Sequence, residues 1–122
     1  MSHHRKLLKL NDRDVELEEF YLDAEKLIEG NPKQSVWNHY VDSTGKYFAG
    51  FWYSDIGKWR IKYTEEETCY LLEGVSIVTD EDGLAITLQA GDSFVIPKGF
   101  VGTWEVVKPS RKLYAIYEEP GL

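Results

Sequence analysis

Most residues able to do chemistry fall between positions 60 and 69, where Arg60, Lys62, the run Glu65-Glu66-Glu67 and Cys69 offer a guanidinium, an ammonium, carboxylates and a thiol. Arg presents a planar fork that suits a carboxylate or another flat polar group. A thiol becomes a nucleophile only when a neighbour lowers its pKa. No His is placed to activate Cys69, which equally fits a small buried hydrophobe. Glu65 and Glu66 read as a solvated turn. One Cys excludes an intramolecular disulfide, and one Cys with three His cannot furnish a zinc ribbon or finger. His3 and His4 lie in the N-terminal tail, and His39 sits on a strand with no motif around it. Asp80-Glu81-Asp82-Gly83 has the composition of a calcium loop without its alternating ligand spacing or distal glutamate, and reads as a hairpin turn.

The elements that must position these groups are strands. The chain has 122 residues, enough for one domain with a core of its own. Aromatics reach 14%, with 4 Trp, 8 Tyr and 5 Phe, a composition that favours strands. Short apolar runs predict strands over 36–41, 47–54, 58–63, 68–72, 75–79, 84–89, 93–96, 103–107 and 112–117. Glycine-bearing turns separate most of them, and Lys108-Pro109-Ser110 reads as a further turn. Before them, Asp23 is expected to cap a short helix over 24–29, ended by Gly30 and Pro32. This divides the chain into a partly helical extension, 1–35, and a β domain, 36–122. The net charge of -7 argues against a nucleic-acid surface. No apolar run approaches the ~20 residues of a membrane span and no signal-peptide pattern opens the chain, so a soluble, cytoplasmic protein is expected.

Two stretches identify a family. Glu67-Thr68-Cys69-Tyr70-Leu71-Leu72-Glu73-Gly74 resembles the end of the first cupin motif, a glutamate followed by six residues and a glycine. Gly91 to Gly99 resembles the opening of the second motif, G-x5-P-x-G. Gly50-Phe51-Trp52, Gly57-Lys58-Trp59, Tyr63-Thr64-Glu65, Gly102-Thr103-Trp104-Glu105 and Arg111-Lys112-Leu113-Tyr114 are similar to the single-domain cupins grouped with the ureidoglycine aminohydrolase cupin domain. The resemblance implies an all-β fold, the RmlC-like jelly-roll barrel. It also implies where metal-binding cupins carry histidines: a His-x-His pair that falls here on Arg60 and Lys62, and a third His that falls on Gly102. Only Glu67 survives of that ligand set, so no metal and no other cofactor is expected.

If positions 60 and 62 face the barrel interior as those histidines would, Trp59 and Ile61 face the other way, because side chains alternate along a strand. The implied pocket then joins Arg60, Lys62, Glu67, Cys69 and Trp104, which suits a small carboxylate or ureido compound. Equally, Arg60 and Lys62 could close internal ion pairs with Glu67, and Trp104 could belong to the core. Three functions stay open: a metal-independent barrel that binds a small polar or anionic molecule, with turnover possible; a non-catalytic dimerising module with a packed barrel; and a metal-dependent hydrolase or isomerase. A homodimer is expected in either of the first two, with no nucleic-acid or membrane partner.

Overall fold

The computed structural model describes residues 6–10 and 15–119. Among them are nine strands: β1 (Glu18–Tyr21), β2 (Leu27–Glu29), β3 (Lys33–Val41), β4 (Tyr47–Ser54), β5 (Gly57–Lys62), β6 (Glu66–Asp80), β7 (Ala85–Gln89), β8 (Ser93–Ile96) and β9 (Val101–Tyr117). Every pairing is antiparallel. The two longest strands explain the shape. β9 pairs along one edge with β6; along the other, Val101–Val106 pairs with β5 and Ser110–Tyr117 with β4. The sheet therefore curls into two facing halves, β1-β3-β4-β9-β6-β8 and β2-β5-β9-β6-β7. Their inner faces meet at Trp52 of β4, Trp59 of β5 and Trp104 of β9, with ring centroids 5.4 to 6.4 Å apart. This curled all-β architecture is the one the cupin motifs lead to expect.

The corner of the curl sits where the sequence suggested breaks. Segments 68–72 and 75–79 are one strand, β6, and 103–107 and 112–117 are one strand, β9, running straight through Lys108-Pro109-Ser110. The β6–β9 register shifts between Leu71 and Ser76, and Gly74 adopts φ +90° there, against Pro109 and Ser110. This is a bulge, and it bends the strand without ending it. Pro109 is tolerated because it falls between the β5 and β4 pairings, where its missing N–H leaves no ladder bond unmade. The bulge also switches which residues face inward. Glu67, Cys69 and Leu71 are buried before it, Ser76 and Val78 after it.

The expected N-terminal helix is not formed. Ala24–Lys26 makes a single 3-10 turn, Asp23 contributes no side-chain cap, and Leu27–Glu29 extends as β2 against β5. So short a helix has few hydrogen bonds to offset nucleation, whereas the β5 edge offers ladder partners at once. β1 likewise adds to the sheet, beside β3. No helix among the described residues is long and apolar enough to cross a membrane.

Candidate functional site

Directly opposed residues of an antiparallel pair share a face. Trp59 and Ile61 lie opposite Trp104 and Gly102, so they point into the barrel with them. Trp59 is 5% exposed, whereas Arg60 and Lys62 are exposed. The placement of Arg60 and Lys62 inside the barrel is thus corrected: both side chains turn outward. Burying two cations beside one carboxylate would be costly, while Trp59 and Ile61 gain from leaving water. Nor does either cation pair with Glu67.

The cation that does face the interior is Lys112. Because β9 is continuous, Lys112 shares a face with Trp104 and Val106, and it is 4% exposed. Its Nζ lies 2.9 Å from Oε2 of Glu67, itself buried, and 4.5 and 4.7 Å from the ring centroids of Trp104 and Trp52. Tyr63 donates its hydroxyl to the other carboxylate oxygen, Oε1, at 2.6 Å. Burial alone would drive Lys112 toward the neutral amine. The Glu67 carboxylate and the Cys69 sulfur outweigh it and hold the pKa above the usual lysine value. Lys112 is therefore a fixed ammonium, which cannot act as an amine nucleophile near neutral pH. Burial, with Glu67 nearby, also pushes the Tyr63 phenol well up, so it remains a hydrogen-bond donor.

Each tryptophan of this cage is anchored through its indole N–H. Trp52 donates to Oε1 of Gln34 at 2.6 Å, and Gln34 in turn donates to Ser54 at 2.8 Å. Trp104 donates to Oγ of Ser76 at 3.1 Å, and Ser76 shares a 2.8 Å bond with Ser110. Rings held at both their apolar and polar ends keep a fixed attitude toward the ammonium.

Beside this pair opens a cavity of about 390 Å³. Asn38, Trp52, Tyr63, Glu67, Lys112 and Tyr114 supply its polar wall, and Glu18 and Glu65 also line it. Tyr114 donates to Oδ1 of Asn38 at 2.8 Å. Of the five residues named from the sequence, only Glu67 lines this cavity. Trp104, 2% exposed, is buried behind Lys112, and the ring that reaches the cavity is that of Trp52. Cys69 is 1% exposed, and burial pushes its thiol up to about 12. Arg60 and Lys62 line a different cavity, of about 490 Å³, on the far side of Tyr63 and Glu65.

The donor set does not suit a divalent transition metal. The surviving cupin glutamate is already paired with an ammonium, whose charge would repel the ion, and among the described residues no three His, Cys, Asp or Glu side chains converge.

Comparison with known proteins agrees with this architecture. The chain superposes on a DUF861-family protein of unknown function from Pseudomonas syringae pv. tomato with a TM-score of 0.76 and 23% identity, covering 84% of this chain and 44% of that one. It thus spans under half of that relative. A DUF861-family protein from Thermotoga maritima is 39% identical over 52% of this chain and 73% of its own, with a TM-score of 0.51. The putative ethanolamine utilization protein Q of Salmonella typhimurium is 19% identical, with a TM-score of 0.64, over 88% of this chain and all of that one. No curated protein matches the chain. Residues 41–114, more than half of the sequence and including both glycine-marked motifs, match the EutQ-like cupin domain, and the chain belongs to that family.

Proposed function

We propose that the barrel cavity binds a small, uncharged polar molecule of the amide or ureido class, without a metal. The observation that carries this reading is the opposed set of groups on one wall: the Lys112 ammonium and the acceptors Glu67 and Asn38, with the Trp52 ring beside them. A ureido group has a carbonyl to accept from the ammonium, N–H groups to donate to carboxylate or amide oxygen, and a flat face to lie on an indole. An anion is less suited, since Glu18, Glu65 and Glu67 outnumber the single ammonium. The sequence resemblance to the ureidoglycine aminohydrolase cupin domain supports the same ligand class. The open cavity favours binding over a fully packed barrel.

Titration with alkylureas, which are uncharged ureido compounds, and short primary amides, followed by tryptophan fluorescence and thermal unfolding, tests the proposal. A saturable fluorescence change with a raised melting temperature is expected, because a ligand bound only by the native state stabilises it. Asn38→Ala should weaken both effects. Absence of any stabilising amide or ureide in the wild type would reject the reading.

A homodimer is a compatible second proposal, favoured by Leu84, Ile86 and Val95, which are 55 to 64% exposed around the edge strands β7 and β8. Sedimentation velocity at two concentrations checks it, and a monomer at both rejects it.

A further inference from the structure

The cations that the barrel does not use point to a second site. We propose that the groove of about 490 Å³ beside β5 binds a small organic polyanion, a phosphate ester or a di- or tricarboxylate. The chain carries a net charge of -7, yet this groove is lined by Lys26, Arg60 and Lys62 against Glu65. Among the described residues none of the three cations forms an ion pair. Glu65 instead accepts the backbone N–H of Thr64 at 3.1 Å.

The cations are brought together by the fold. Arg60 and Lys62 project from the same face of β5, about 7 Å apart along the strand. The Nη1 of Arg60 lies 3.3 and 3.4 Å from the carbonyl oxygens of Glu25 and Leu27, which bracket Lys26 and set the guanidinium beside it. β2 reaches no further along β5 than the Leu27–Trp59 pair, so the groove opens beyond that point. Three like charges gathered without an ion-pair partner repel one another; the two carbonyl contacts tie Arg60 to the N-terminal segment, but among the described residues no hydrogen bond or ion pair does the same for the side chains of Lys26 and Lys62. A ligand with two or more negative charges supplies the missing partner, and the rigid fork of Arg60 suits phosphate and carboxylate alike. Leu22, Ile61 and Val101 add an apolar wall for the organic part. This site is separate from the barrel cavity; the two share only Tyr63 and Glu65.

Phenyl phosphate and citrate are the probes, titrated into the intact protein and followed by backbone-amide NMR and calorimetry. Saturable binding of at least one is expected, with shifts at Lys26, Ile61 and Gly102, and the better probe decides between phosphate and carboxylate. The Arg60→Gln/Lys62→Gln variant should bind at least roughly tenfold more weakly while keeping a native-like amide spectrum outside the groove. The Lys46→Gln/Lys108→Gln variant carries the same charge change away from the groove and should bind as the wild type does. The proposal is overturned if neither probe binds at about 10 mM, if the control loses as much affinity as the groove variant, or if the shifts fall on Asn38 and Lys112 instead.

Discussion

Lys112→Met isolates the cost of the buried pair. The substitution keeps most of the side-chain length and leaves the carboxylate of Glu67, 4% exposed, without its cation and with the Tyr63 hydroxyl as a neutral donor. Removing one member of a buried pair costs about 3–5 kcal/mol, because the other charge is left desolvated. Two cation–π contacts, at 4.5 and 4.7 Å, go with it, and the methionine sulfur recovers part of that loss against the same rings, roughly 0.3–1.5 kcal/mol. The expected net loss is about 3–5 kcal/mol. Adding Glu67→Gln should restore about 2 kcal/mol, since the uncompensated charge is gone and the amide can still accept from Tyr63. Urea unfolding followed by tryptophan fluorescence reads both, provided the m-value stays constant. If the double variant is as unstable as Lys112→Met alone, the stranded carboxylate is not the source of the cost, and the account of the pair fails.

Burial and backbone geometry lead to three further outcomes. Cys69 should resist thiol reagents in the native protein at pH 8 and react fully in urea; fast native labelling would contradict the enclosed position that raises its pKa to about 12. The same shift has a sign. A thiol whose folded pKa is raised contributes its stability in full below the ordinary value of 9.0, and that stability is lost as pH climbs toward 12. Unfolding free energy should therefore fall across that window, less steeply in Cys69→Ala. Gly74→Ala should cost at least about 2 kcal/mol by thermal or urea unfolding, because φ +90° disfavours a side chain and the new Cβ would be driven into the Pro109 carbonyl. A loss under about 0.5 kcal/mol would mean the bulge relaxes freely.

The inward set of β5 was legible without any relative. Lys58, Arg60 and Lys62 alternate with Trp59, Ile61 and Tyr63, a period-two pattern that puts the apolar members inside. Mapping lost histidines onto positions 60 and 62 overrode that pattern and reversed the face. Lys112 was hidden for a different reason. Its parity with Trp104 and Val106 is plain only if 101–117 is one strand, and Lys108-Pro109-Ser110 looks like a turn to any local rule. The same applies to Ser76, which faces inward only because of the bulge before it.

What the sequence determined by itself was local: strand-forming segments, glycine turns, the two motifs of the barrel and the survival of a single motif carboxylate. What the tertiary structure decided was which chemical groups meet. Glu67 finds Lys112 because β6 and β9 pair along their whole lengths through a shared bulge, and Arg60 and Lys62 are excluded because β5 takes its register from Trp104 and Gly102. In a sheet, a shift of one residue exchanges the two faces, so the identity of a barrel's interior depends on long-range pairing that no short stretch of sequence contains.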